Sequence, residues 1–168
     1  MKILKIINPA GISEEESQKL KPRLAARGVV VNDKNLVAVL PVSKHEYYKL
    51  PGGGIESGET EVEAFRRECL EEIGFDVEVI AEVGIIIEYR TFISVIQTSY
   101  CYIGKVIGEK KEIALTAHEK GEGFKEPEWV SVDEALKLVL DSNPANTEGV
   151  FIRERDGLVL ELAKKIIS

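Results

Sequence analysis

A single domain of the α/β class is what this sequence predicts, and three observations carry that reading. The chain has 168 residues, enough to bury one core and too few for two domains of ordinary size. Hydrophobic residues make up 44% and charged residues 30% of it, a globular balance that fits neither a disordered tail nor a disulfide-stapled miniprotein. Runs rich in Val, Ile, Thr and Tyr alternate along it with stretches of helix formers, the pattern of strands and helices packed in layers. The whole of 1–168 is therefore read as one unit.

Residues 2–7 and 23–31 read as strands, the second ending at the turn signal Asn32-Asp33-Lys34-Asn35. Residues 36–42 return as its hairpin partner. A short strand at 47–50 is cut off by Pro51-Gly52-Gly53-Gly54, where glycines free the backbone for positive φ and for close approach of a ligand. A helix follows, because Thr60 and Glu63 form a T-x-x-E capping box, residues 61–72 are mostly good helix formers, and Gly74 marks the stop. Residues 76–87 and 94–107 are two longer strands turning near 89–91. Residues 108–127 form one long Gly-, Lys- and Glu-rich surface loop with a short strand expected at 113–117; loops of that length tend to be functional. A last strand at 129–132, a helix at 132–140 and a helix at 148–167, with a weak point at Gly157, complete the map.

Composition also excludes function classes. Apolar runs such as those at 29–31 and 85–87 are short, far from the roughly 18 residues of a membrane span. The start, Met1-Lys2-Ile3-Leu4-Lys5, has no signal-peptide core. Cys69 and Cys101 are the two cysteines, too few for a zinc site, and a reducing cytoplasm is the expected compartment. With 22 basic and 29 acidic side chains the net charge is −7, which argues against a general nucleic-acid or membrane-surface binder. The acidity is concentrated. Between Gly53 and Phe75 lie Glu56, Glu59, Glu61, Glu63, Glu68, Glu71 and Glu72, with only Arg66 and Arg67 in opposition.

Each residue of a helix advances about 100°, so Glu68, Glu71 and Glu72 share one face, while Val62, Phe65, Cys69 and Ile73 supply an adjacent apolar stripe. Like charges at such spacing weaken an isolated helix by a few tenths of a kcal/mol per pair. The cluster makes sense if a hard divalent cation sits on it, since Mg²⁺ takes oxygen ligands and is commonly shared between carboxylates and a substrate phosphate. The glycine loop feeds directly into this helix, which places backbone N–H groups and the acidic face on one edge of the fold, a combination suited to a diphosphate.

Gly53, Glu59, Arg67, Glu68, Glu71, Glu72 and Gly74 fill all seven fixed positions of G-x5-E-x7-R-E-U-x-E-E-x-G-U, where U is a bulky apolar residue. The stretch from Gly53 to Phe75 thus resembles the Nudix box, with Cys69 and Phe75 at its apolar positions. Agreement by chance is on the order of one in a hundred million per starting position. Tyr48-Lys49-Leu50-Pro51-Gly52-Gly53 is similar to the family's entry into the box, and residues 128–136 to its last strand and helix.

The resemblance implies an α/β/α sandwich on a mixed β-sheet and a hydrolase, using Mg²⁺ or Mn²⁺, that cleaves a nucleoside diphosphate linked to another group. It makes Glu68, Glu71 and Glu72 metal ligands, with Glu68 a base in some members, adds the backbone carbonyl of Gly52, and pairs Glu59 with Arg67 to fix the loop. Members also draw a base from the loop before the last strand, where Glu119, Glu122 and Glu126 are available; Glu122 stands first because Gly121 and Gly123 flank it. Gly53, Gly54, Arg23 and one of Tyr47 and Tyr48, with Tyr48 preferred, are the expected substrate contacts; Arg27 shares the strand of Arg23. Among aromatic residues Tyr89, Phe92 and Phe124 could also meet a base.

The expected substrate is a nucleoside triphosphate, oxidised or not, cleaved to the monophosphate and pyrophosphate as in the MutT-like group. ADP-ribose or a nucleotide sugar is the alternative within the enzyme class. A catalytically silent nucleotide sensor is the alternative of another class, although such proteins usually lose box glutamates and this chain keeps them. The expected partner is the small nucleotide itself, with no general nucleic-acid or membrane binding and with a homodimer left open.

Overall fold

In the computed structural model, which describes residues 1–167, the elements run β1 (Ile3–Ile7), α1 (Glu14–Ser17), β2 (Lys21–Val31), β3 (Val37–Val42), β4 (Tyr47–Lys49), β5 (Gly52–Gly54), α2 (Glu61–Ile73), β6 (Asp76–Arg90), β7 (Val95–Ile107), α3 (Ala117–Gly121), β8 (Glu128–Val130), α4 (Val132–Leu140) and α5 (Thr147–Ile167). The strands form one sheet in the order β1-β6-β7-β2-β3-β4, with β5 beside β2 and β8 beside β3. The hairpin β6–β7 is antiparallel, whereas β2 runs parallel to β7 from Lys21 opposite Val95 to Val31 opposite Lys105, and β1 runs parallel to β6. The sheet is therefore mixed.

Side chains alternate across a strand, and β2 uses both faces. Ala26 and Val30 join Ala64, Phe65, Cys69 and Ile73 of α2 in one core, while Val29 and Val31 join Ala135 and Val139 of α4 and Val159, Leu160 and Ala163 of α5 in the other. Helices thus cover both sides, the α/β/α sandwich that the resemblance implies. Both cysteines are free and buried. Among the described residues no helix is long and apolar enough to cross a membrane.

Departures from expectation have local causes. The strand expected at 113–117 does not form, because the backbone donors of Lys111 and Ala114 go to Gly74 and Glu71 at the end of α2, and Thr116 then caps the short helix α3 instead. Helix α5 runs through Gly157 unbroken, and the glycine allows close packing: a Cβ there would lie 2.6 Å from a methyl of Leu140. Val62 is exposed, since α2 meets the sheet only from Ala64 onward. The short α1, capped by Ser13, falls in a segment to which the sequence assigned no element.

Two features open the site. Strands β2 and β3 pair only at Val31 and Val37, and beyond that point β5 takes the place beside β2, with Gly52, Gly53 and Gly54 opposite Arg27, Ala26 and Ala25. On the α5 face, below this gap, lies a buried polar layer. Glu88 accepts from Arg90 at 2.9 Å, from Arg155 at 3.2 Å and from Gln97 at 2.7 Å, and Asp156 accepts from Arg155 at 2.7 Å and from the backbone of Leu50 at 2.8 Å. The last bond ties α5 to the start of the glycine loop.

Burial pushes the Glu88 carboxyl up, yet Arg155, Arg90 and Arg27 outweigh it and hold it down to about 2. Its stabilising share is complete above its ordinary value of 4.5 and is lost as pH falls from there toward 2. Glu88→Gln should therefore cost about 3–5 kcal/mol at pH 7, the usual penalty for half of a buried pair. The gap between the two proteins should narrow in acid, as read by urea denaturation at pH 7 and pH 3. A gap that does not change with pH would refute the charge-pairing account.

Candidate active site

Helix α2 begins where Thr60 accepts the Glu63 N–H and the Glu63 carboxylate accepts the Thr60 N–H, and it ends at Gly74 in the left-handed conformation. With Phe65, Cys69 and Ile73 buried against the sheet, the helix must turn Glu68 and Glu72 toward the glycine loop. Glu72 is buried; it accepts the Gly52 N–H at 2.8 Å and the Lys49 ammonium at 2.5 Å, and the same ammonium donates to the Gly52 carbonyl at 3.1 Å. At two positions in the loop an added Cβ would force a neighbour to shift. A Cβ on Gly52, whose φ is +138°, would lie 2.3 Å from the Cβ of Arg27, and one on Gly53 would lie 2.5 Å from the Glu68 carboxylate.

Arg67 clamps loop to helix. It donates to both oxygens of Glu59 at 2.7 and 3.1 Å, to the Gly54 carbonyl at 2.9 Å, to Glu68 at 2.8 Å and to Glu71 at 3.2 Å. Glu59 and Arg67 thus form an ion pair between loop and helix. Glu71 is half-buried on the outer side of the clamp.

The loop glutamates separate clearly. Glu119 approaches the box: one oxygen each from Glu68, Glu72 and Glu119 lie within 4.8 Å of one another. Its Oε2 is held by the Thr116 N–H at 2.7 Å and hydroxyl at 2.9 Å, and its Oε1 has no hydrogen-bond partner among the described residues. Glu122, placed first by its flanking glycines, has both oxygens engaged, by His45 at 2.6 Å and Lys44 at 2.9 Å. These bonds hold its carboxyl below the usual range. Glu126 is exposed and pairs with Lys110. The glycines at 121 and 123 do not make a free swing arm, since the Gly123 carbonyl accepts from the backbone and hydroxyl of Ser43.

The donors at the cluster are all oxygens, which suits Mg²⁺ or Mn²⁺ and not zinc. The cradle between Glu72 and the Gly52 carbonyl already accepts a cation, the Lys49 ammonium. Burial, with a further push from Glu68, raises the Glu72 carboxyl to about 7 against the pull of Lys49.

A cavity of about 210 Å³ adjoins the carboxylates. Tyr47, Phe124 and Ile152 form an apolar wall, and Arg23, Arg27, Arg90 and Arg155 a basic floor. Tyr47, not Tyr48, faces this space. The alternation along β4 sends Tyr47 and Lys49 inward and Tyr48 to the other side, where its hydroxyl donates to Glu128 at 3.2 Å. Arg23 lines the cavity and bonds to Gln97, and Gly53 and Gly54 form its rim. Phe92 packs on Phe151, and Tyr89 is buried away from the opening. Sequence reasoning passed over Lys49, Arg90 and Arg155. A signal existed for the last: Arg155 and Asp156 interrupt the apolar stripe of Phe151, Ile152, Val159 and Leu160, where an ionic pair must be buried.

Fold and site together define an α/β/α sandwich with an acidic, oxygen-only cluster at the mouth of a basic cavity. The sequence matches the family model for the NUDIX domain over residues 21–150, and the chain belongs to that family, as a Nudix hydrolase. It is 27% identical over 126 residues to an RNA pyrophosphohydrolase of Ruthia magnifica subsp. Calyptogena magnifica, covering 67% of this chain and 70% of the relative. In fold it is similar to a NUDIX hydrolase from Nitrosomonas europaea, with a TM-score of 0.60 at 20% identity over 87% of this chain and 88% of the other. An ADP-ribose pyrophosphatase from Streptococcus suis superposes with a TM-score of 0.56 at 18% identity over 86% and 93% of the two chains.

Because the Lys49 ammonium sits between the Gly52 carbonyl and Glu72, it competes with any metal ion for both. Lys49→Met should bind Mn²⁺ severalfold more tightly than the parent in titration calorimetry, while circular dichroism confirms the fold. Equal or weaker binding by a folded variant would show that Lys49 is not a competing cation.

Proposed function

We propose that this Nudix hydrolase cleaves a phosphoanhydride of a nucleoside triphosphate, releasing the monophosphate and pyrophosphate, with Mg²⁺ or Mn²⁺ as cofactor. The observation that carries this reading is the convergence of Glu68, Glu72 and Glu119 beside the Gly52 carbonyl at the mouth of the cavity. Pyrophosphate chemistry also appears in the names of the RNA pyrophosphohydrolase relative and the ADP-ribose pyrophosphatase neighbour. Glu68, Glu71, Glu72 and the Gly52 carbonyl are the proposed metal ligands. When bound, a divalent ion offsets the charge of the diphosphate and acidifies water.

The protein's own groups do the rest. The glycine loop leaves room for the diphosphate against its backbone, and Arg67, through Glu59 and Gly54, keeps that loop in place. Glu119 takes the part that the sequence offered first to Glu122: its free oxygen accepts the proton of the attacking water as the new P–O bond forms and pyrophosphate leaves with the electrons of the broken P–O bond. Glu122 suits this poorly, because Lys44 and His45 already engage both of its oxygens. Tyr47 and Phe124 wall one side of the cavity, and the nucleobase, at the far end of the phosphate chain, stays outside it.

The test is a panel of nucleoside triphosphates, ADP-ribose and nucleotide sugars with identification of products. Activity should vanish in EDTA and return with Mg²⁺ or Mn²⁺, and triphosphates should be cleaved fastest; faster cleavage of ADP-ribose would move the substrate and leave the site intact. Glu68→Gln and Glu72→Gln should each lower turnover at least a hundredfold, because the amide keeps the shape and loses the charge. Glu119→Gln should slow turnover to a similar degree with Mn²⁺ affinity nearly unchanged, as expected of a base; a parallel loss of Mn²⁺ affinity would make Glu119 a ligand instead.

A further inference from the structure

Arg27 is buried, at 4% exposure, and lines the cavity, yet among the described residues its guanidinium has no hydrogen-bond or ion-pair partner, and its Nε is orphaned outright. Taking a guanidinium from water without a partner costs several kcal/mol. The buried carboxylates nearby are engaged by other donors. Both oxygens of Asp156 are taken by Arg155 and the Leu50 N–H, and those of Glu88 by Arg90, Arg155 and Gln97. Arg155, 1% exposed, also keeps its Nη2 without a partner. Four arginines line this end of the cavity, while Glu68, Glu72 and Glu119 line the other end; Glu88 and Asp156 are fully buried behind the arginines and do not line it, and Glu148 joins from a half-exposed position on Arg90. The floor carries an excess of positive charge.

Its position says what the excess is for. Arg27 stands opposite Gly52 in the ladder of β2 and β5, directly beneath the loop whose carbonyl and facing carboxylates form the acidic cluster. Burial and the nearby Arg155 lower the Arg27 pKa to about 10, so it is charged at neutral pH. A forked guanidinium without partners is matched best by the oxygens of a phosphate. The cavity, at about 210 Å³, is smaller than the roughly 300–1,000 Å³ of a site that encloses a whole small molecule, so only one end of a substrate can enter.

We propose that the floor formed by Arg27, Arg155, Arg23 and Arg90 is a subsite for an unesterified terminal phosphate, so that the enzyme selects substrates whose phosphate chain has a free end over those capped at both ends by sugars. This deepens the reading of the site given above and rests on it for orientation: the chain enters past the carboxylates, and its free end reaches Arg27. Adenosine triphosphate has such an end, and ADP-ribose and nucleotide sugars do not.

Arg27→Met tests this without turnover. Inorganic pyrophosphate is titrated by calorimetry into the full-length protein in EDTA, so that the carboxylates have no metal with which to hold it. The parent should bind, and Arg27→Met should bind at least tenfold more weakly. With no anion present, the variant should melt at the same temperature as the parent or higher, because an unpartnered buried charge has been removed. In steady-state kinetics with Mg²⁺ the variant should raise KM for ATP by at least tenfold and leave that for ADP-ribose within twofold. No binding by the parent, equal pyrophosphate affinity in the folded variant, equal effects on the two substrates, or a melting temperature several degrees lower would each overturn the proposal, the last by making Arg27 a structural residue. An inactive protein that still binds pyrophosphate through Arg27 would count against the hydrolytic reading alone.

Discussion

The site depends first on one bond, from the Gly52 N–H to the buried carboxylate of Glu72 at 2.8 Å. It fixes the glycine loop to α2 at the point where the loop carbonyl and the acidic helix face must stay together, and Arg67 repeats the fastening one turn earlier through Glu59 and Gly54. Both links work only because nothing intervenes. A side chain on Gly52 would collide with β2 and one on Gly53 with Glu68, so the absence of two Cβ atoms sets the distance between loop and helix.

The two faces of the sheet then contribute opposite charge to one opening. From the α2 side come Glu68 and Glu72; from the α5 side come Arg155, with Arg27 and Arg23 on β2 and Arg90 on β6. The gap that lets them meet exists because β3 leaves β2 after a single pairing and the short strand β5 fills its place. Asp156 links the two halves mechanically, since its bond to Leu50 carries the position of α5 into the loop. A shift of α5 would thus be felt at Gly52, two residues on.

What the sequence reveals and what it conceals follow the range of the interactions. The capping box at Thr60, the stop at Gly74, the spacing of Glu68, Glu71 and Glu72 and the pairing of Glu59 with Arg67 depend on residues within one segment, and all were legible. The alternation that limits the cavity to one of Tyr47 and Tyr48 was legible too, but not which of them faces inward, because that depends on which side of β4 the cavity lies. The loop at 108–127 could not be read for the same reason. Its backbone is captured by the C-terminus of α2, and only that capture brings Glu119 toward Glu68 and Glu72 while Glu122 goes to Lys44 and His45. The arginine floor was the least legible part, since its members come from β2, β6 and α5, separated by more than a hundred residues of chain.

Two clusters of like charge persist at the ends of one small cavity without neutralising each other. None of the four arginines forms an ion pair with Glu68, Glu72 or Glu119 among the described residues. The loop backbone at Gly52, opposite Arg27 and bonded to Glu72, lies between them. Burial raises the Glu72 carboxyl to about 7 and lowers Arg27 to about 10, the directions in which desolvation moves a buried acid and a buried base. A cation alone would relieve one end and an anion alone the other. A polyphosphate carrying its divalent ion supplies both charges in one ligand, spaced along a chain, and it is the kind of molecule for which clusters of opposite sign on either side of a glycine loop are complementary.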